Sequence, residues 1–394
     1  MKKIILSAVA VAAMTSFGSA SELSELKAQM QIMADKIAEL EAKQAKASEV
    51  KLPKNATQVT SKAPVIEFSG THYLGFVNTD DNIADETTNK FETRRNYFQA
   101  KAFFKENPKD YLRITLDTFQ NFDDAKTSKG TSPEDDGSWE VRLKYAYLYL
   151  DEILPYTGVE IGQVHRPWID YEEHNSWMYR SVSKVFVEDK GHGPDYTNSA
   201  DLGFNFKTKT PYFSSELGLF NGAGYHYKED GEGLSGEWRL TGHILGTGEE
   251  KAKADLQYAN VSFFGQLNSD FAKKGDPISG DFNWYGVHAV YNQPEFLIAA
   301  QYVETEDAAV KQDGDGYSFN GELRLIPGFD LIGMYSKYDF TSGIDREGWL
   351  AGIVYPYNKN VKFIANYLSE EETNAANVTT VDKDSIMLTA EVKW

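Results

Sequence analysis

Cysteine is absent from all 394 residues, so neither a disulfide scaffold nor a thiolate-bound metal is open to this chain. Stability must come from packing and backbone pairing. After the first twenty positions there is no apolar run approaching the roughly 20 residues that a membrane-spanning helix needs. Basic residues are in deficit, with 40 Lys and Arg against 59 Asp and Glu and a formal charge of −19, which opposes extended contact with nucleic-acid phosphates. Enzyme signatures are missing too: there is no His-Glu-x-x-His, no Gly-x-Ser-x-Gly and no phosphate loop. Asp313-Gly314-Asp315-Gly316 opens like a calcium loop but lacks the next acidic ligand, which leaves an ordinary turn. His226 between two tyrosines and His192 between two glycines are not spaced as metal ligands. The sequence predicts no catalytic residue, no cofactor and no metal site.

Aromatic residues are plentiful, with 23 Tyr and 23 Phe. A membrane protein without spanning helices must be a closed barrel, because lipid cannot satisfy an open strand edge. A water-soluble β protein shares this composition, so the pattern along the chain decides.

Lys2 and Lys3, the apolar run Ile4 to Met14 and the small residues Gly18-Ser19-Ala20 have the layout of a secretory signal peptide over residues 1–20. A helical anchor would need a run not interrupted at Thr15 and Ser16. In residues 21–46, Leu23, Leu26, Met30, Met33, Ile37 and Leu40 recur at alternating spacings of three and four, the seam of a short α-helical coiled coil. A single amphipathic helix resting on another surface is the alternative. Residues 47–64, rich in Lys, Ala, Ser and Thr with two prolines, read as a linker.

From Val65 to Trp394 the period changes to two. Leu112, Ile114 and Leu116 alternate with Arg113, Thr115 and Asp117, and Val141, Leu143, Tyr145, Tyr147 and Tyr149 with Arg142, Lys144 and Ala146. Sixteen such segments can be counted, from 65–79 to 384–394. Tight connections such as Asn107-Pro108-Lys109 and Pro327-Gly328 follow even strands, and long acidic ones, Asp80 to Phe91, Asp123 to Ser138 and Glu370 to Lys383, follow odd strands. Gly246 to Ala254 is long, and Thr341 to Glu347 short, for this scheme. The pattern predicts an all-β, transmembrane antiparallel barrel of about sixteen strands in a bacterial outer membrane, with the leader helix in the periplasm.

The last strand places Ile386, Leu388, Ala390, Val392 and Trp394 on one face, which resembles the closing strand of outer-membrane barrels. With it the chain resembles the trimeric Gram-negative porins, and within them the phosphate-selective porin O/P family and relatives with coiled-coil leaders. Three local motifs carry this: Ile161-Gly162-Gln163-Val164-His165-Arg166-Pro167-Trp168, Asp201-Leu202-Gly203-Phe204 and Leu219-Phe220-Asn221-Gly222-Ala223-Gly224. The resemblance implies a homotrimer and a third loop, Arg166 to Asn198, folded into the barrel. The family's ladder of phosphate-binding arginines and lysines has no residue-by-residue match here.

Strand parity sends Arg95, Lys101, Arg113, Arg142 and Lys144 towards the lumen if Phe98 to Phe104, Leu112 to Leu116 and Val141 to Tyr149 face lipid. Opposite them the loop carries Asp170, Glu172 and Glu173. A positive wall facing acids gives a transverse field across a wet passage, a pore constriction that sorts solutes by charge. Plain polar lining of a barrel and a mobile outer loop are the alternatives. The functions weighed are passive diffusion of small hydrophilic solutes or ions, an anchor tethering the barrel to the cell wall through its leader, and a barrel hydrolase using a rim Ser and His. Expected partners are outer-membrane lipid and lipopolysaccharide, the latter bridged by divalent cations on acidic loops.

Overall fold

The computed structural model describes residues 65–120, 139–222, 224–225, 233–271, 280–306 and 313–394. The expected signal peptide, coiled-coil helix, linker and Asp123 to Ser138 loop lie outside these residues.

Sixteen strands follow in order: β1 (Val65–Asp81), β2 (Glu86–Phe103), β3 (Tyr111–Gln120), β4 (Trp139–Leu154), β5 (Thr157–His165), β6 (Ala200–Lys209), β7 (Phe213–Phe220) and β8 (Ser235–Leu245), then β9 (Tyr258–Phe271), β10 (Gly280–Gln293), β11 (Phe296–Glu306), β12 (Gly314–Ile326), β13 (Phe329–Phe340), β14 (Asp345–Pro356), β15 (Val361–Thr373) and β16 (Thr379–Lys393). One helix, α1 (Pro167–Asn175), lies between β5 and β6. Each strand pairs antiparallel with its sequence neighbour, and β16 pairs with β1 from Thr71↔Lys393 to Asp81↔Lys383, closing the barrel. Closure removes the unpaired edge that would otherwise recruit another chain. The seam is fastened by the Gly70–Trp394 backbone pair and by Trp394 Nε1, which donates to His72 Nε2 at 2.9 Å.

The outer face is apolar all round. Phe98, Ile114, Val141, Phe204, Leu217, Phe263, Ile298, Phe319, Ile353 and Leu388 are all exposed, each flanked along its strand by side chains of the opposite face. An exposed apolar belt of this extent needs lipid to cover it.

Two expectations about connections are corrected. The β1–β2 and β15–β16 connections are tight turns at 82–85 and 374–378, because the strands run on beyond the apolar belt. Asp81 Oδ1 accepts the N–H groups of Ile83 and Ala84, with Asp85 left-handed at φ 53°; Asn374 Oδ1 accepts those of Ala376 and Val378, with Asn377 at φ 56°. Polar side chains that satisfy turn N–H groups themselves make a short turn out of an acidic stretch.

A third correction concerns which way tyrosines face. The β3–β4 register shifts between Thr115 and Leu116, whose partners are Tyr145 and Leu143, so Lys144 is the extra residue of a bulge. Gln163 Nε2 donates to the Leu143 and Lys144 carbonyls at 2.7 and 2.8 Å. Val141 and Leu143 face lipid, but beyond the bulge the parity inverts, and Tyr145 and Tyr147 are buried on the inner face. A second bulge, between Tyr73 and Leu74, makes Arg94 the extra residue on β2.

Candidate functional site

The inner faces of β2 to β4 carry the cations expected there. Arg95 pairs across to Tyr73, and Lys101 and Arg113 face each other in register. Arg113 donates to Tyr147 Oη at 3.2 Å, lies 3.0 Å from His165 Nε2, and stacks over the Tyr145 ring at 4.7 Å. Lys144 donates to Tyr97 Oη at 2.9 Å, and Lys101 lies over Tyr111 at 4.9 Å. Arg142 differs, because both its Nε and Nη2 reach Asp117 Oδ2, at 3.2 and 2.8 Å. Among the described residues no carboxylate lies within ion-pair distance of Arg95, Lys101, Arg113 or Lys144.

The three acids separate. In α1 a residue turns about 100° from its neighbour, so Asp170, Glu173 and His174 share one face while Trp168, Ile169 and Glu172 occupy the other. Asp170 lies 3.7 Å from His165 Nε2 and 3.8 Å from Lys207 Nζ. Burial would raise its carboxyl, but His165, His174, Lys207 and Arg113 together hold it well below the usual carboxylate range. Glu173 is paired within the same segment to Arg180. Glu172 corrects the expectation: it is buried against β11, accepting from Gln301 Nε2 at 2.5 Å, and does not face the cations. Burial pushes its carboxyl up to about 8 despite that hydrogen bond.

The rest of the 166–199 segment packs on the inner faces of β9 to β16. Trp168 stacks on Phe264 with centroids 3.5 Å apart and planes 5° from parallel. Trp177, Val182, Val185, Phe186 and Val187 join Trp284, Val303, Ile332, Met334, Leu350 and Ile364 in one buried cluster. Polar contacts fix the register: Tyr196 Oη meets Tyr338 Oη at 2.5 Å, and His192 bridges Ser183 and Ser336 at 3.1 and 2.7 Å. At the start of the segment Arg166, buried, pairs with Asp201 at 2.6 Å and Glu237 at 2.8 Å and donates to the Gly222 carbonyl at 3.1 Å. The Gly222 N–H returns to Asp201 at 2.8 Å. One ion pair thus gathers residues from all three motifs that carried the sequence resemblance.

Between the cationic strands and this segment lies a polar cavity of about 730 Å³, bordered by Lys101, Arg113, Tyr97, Tyr111, Asp170 and Glu173. It continues past Lys207, which contacts Glu160 at 3.3 Å and Glu216 at 3.4 Å, to Arg239. The long β8–β9 connection, including Glu250 and Lys251, lines its far end.

No protein-family model and no curated protein sequence matches the chain. Solved structures do. An anion-selective porin from Comamonas acidovorans superposes with a TM-score of 0.59 at 10% identity, over 84% of this chain and 99% of that one. OmpF of Salmonella typhi, in complex with daunomycin, gives 0.57 at 14% identity over 86% and 100%. The trimer form of OmpT, an outer-membrane protein of Vibrio cholerae, gives 0.53 at 12% identity over 84% and 99%. The chain has the porin fold.

Within this porin fold several cavity residues escaped the sequence reading. Lys207 and Arg239 were accessible to it, since Lys207 alternates with Phe204 and Phe206, and Arg239 sits between Trp238 and Leu240. Tyr145 and Tyr147 were not, because their inward direction follows from the β3–β4 bulge, which a period-two pattern does not reveal.

Proposed function

We propose that the protein is an outer-membrane porin through which small hydrophilic solutes and ions diffuse passively, with the 166–199 segment folded into the barrel and narrowing the passage. The observation that carries the reading is the cavity wall formed by Lys101, Arg113 and Lys144, cations with no carboxylate at ion-pair distance among the described residues, inside a closed sheet whose outer face needs lipid. A lumen of low local dielectric keeps such charges effective, since screening over a few solvent layers is incomplete at a Debye length of about 8 Å. Local charge therefore favours anions although the chain as a whole is acidic. The narrower likeness to phosphate-selective porins rests on the three short motifs alone. Export by the signal peptide and trimerisation aided by residues 21–46 belong to the same reading, the latter in keeping with the trimer form of OmpT.

Planar-bilayer recording tests it. Stepwise conductance is expected, with reversal potentials in a salt gradient favouring anions. Changing Lys101, Arg113 and Lys144 together to Gln shifts the reversal potential towards cations, whereas Arg142→Gln with Asp117→Asn, which removes a pair whose charges already cancel, shifts it much less. Equal shifts from neutralising three exposed lysines such as Lys90 would mean that the outer surface, not this wall, sets selectivity.

A further inference from the structure

The cationic wall is also a tyrosine wall. Register places its side chains in successive rows along the barrel: Tyr111 and Tyr149, then Lys101, Arg113 and Tyr147, then Gln99, Thr115 and Tyr145 with Lys144 beside them, then Tyr97 with the mutually neutralising pair Asp117 and Arg142, then Arg95 and Tyr73. Rows two residues apart are separated by roughly 6.7 Å along a strand. Charge and aromatic ring thus repeat up one side of the lumen. Lys144 lies 4.3 Å from the Tyr97 ring centroid and Lys101 4.9 Å from that of Tyr111, and these two tyrosines line the cavity and are partly exposed, whereas Tyr145 and Tyr147 are buried. Hydrated inorganic ions gain little from such rings.

Resting on the porin reading above, we propose that this wall is a binding track for organic anions that carry a flat apolar face, aromatic carboxylates above all. The carboxylate engages Lys101, Arg113 or Lys144 by charge-assisted hydrogen bonds, the ring packs on Tyr97 or Tyr111 in offset or edge geometry, and the next row offers the same pair again.

The full-length protein in planar bilayers tests this with three sodium salts, benzoate, cyclohexanecarboxylate and acetate, read as interruption of the chloride current. Benzoate is expected to bind about 2- to 10-fold more tightly than cyclohexanecarboxylate, the range that one aromatic contact supplies, and acetate to bind weakest. In Tyr97→Leu/Tyr111→Leu the benzoate advantage disappears while the chloride-to-sodium preference stays within about twofold of the original, since no charge is removed. Tyr97→Phe/Tyr111→Phe keeps the advantage. Equal interruption by benzoate and cyclohexanecarboxylate in a normally conducting native channel overturns the inference alone, as does an advantage that survives the Leu changes. Absence of stepwise conductance overturns the porin reading and the inference together.

Discussion

Glu172 shows how a single residue can be right in type and wrong in direction. Its position beside Asp170 and Glu173 made it one of three equivalent acids in the sequence, and only the turn of α1 separates it from them. Buried with its carboxyl raised to about 8, Glu172 is protonated when docked and ionised when free at a pH between the ordinary carboxylate value near 4.5 and about 8. The docked state then binds the proton that the undocked state has released, so docking weakens as pH rises from about 4.5 to about 8. Glu172→Gln keeps the hydrogen-bonding shape without the titration. Limited proteolysis of the 166–199 segment is expected to increase between pH 4 and pH 9 in the native protein and to stay level in Glu172→Gln; parallel behaviour of the two would reject this account. The inward orientation of Arg95, Lys101, Arg113, Arg142 and Lys144 was legible because lipid tolerates none of them. The tyrosines were not, since an amphipathic ring is acceptable on either face of a strand.

Among elements, strands were the easiest to read. Alternation located all sixteen, because each has one face in lipid, and that face permits only apolar side chains. Connections were harder. The acidic stretches at 80–91 and 370–383 looked like loops by composition, but paired side chains such as Asp80 with Thr87 at 2.6 Å extend the ladder into them. The segment from Arg166 to Asn198 stood out in the sequence by its length and its tryptophans, while the short helix within it did not. Trp168 is the centre of its attachment, stacked on Phe264 and edge-on to His288 at 5.0 Å. Trp168→Ala removes that stack at a cost of about 3–5 kcal/mol, typical of a large aromatic deleted from a core. The expected result is a larger, noisier single-channel conductance and faster proteolysis within 166–199, with the barrel still resisting denaturation in detergent. Unchanged conductance would mean that the segment does not limit the passage.

The whole barrel is held by backbone pairing that closes on itself, so it unfolds as a unit. The leader, residues 21–46, is expected to act separately, joining three barrels without stabilising any one of them. Met30→Asp with Ile37→Asp is therefore expected to abolish crosslinked trimers of the isolated leader, while the barrel keeps a gel mobility that changes only on boiling. Trimers of the doubly changed leader would show that its seam has been misread, and a barrel that lost its heat-dependent mobility would show that the leader supports folding.

The inner wall from β9 to β16 has a consequence for assembly. Ile332, Met334, Leu350 and Ile364 are buried on one face of these strands while Ile298, Phe319, Ile353 and Phe363 are exposed on the other. At these positions the sheet is apolar on both sides and carries little hydropathic instruction about which side is inside, although polar residues such as Gln301, Ser336 and Asn366 stand between them on the inner face. The β1–β8 half does carry that instruction, in its inward charges. For the second half shape adds to the instruction, through the fit of Trp168 on Phe264, Tyr196 on Tyr338 and His192 on Ser336. The segment between β5 and β6 precedes β9 in the chain, so the surface on which these later strands pack comes from an earlier part of the sequence.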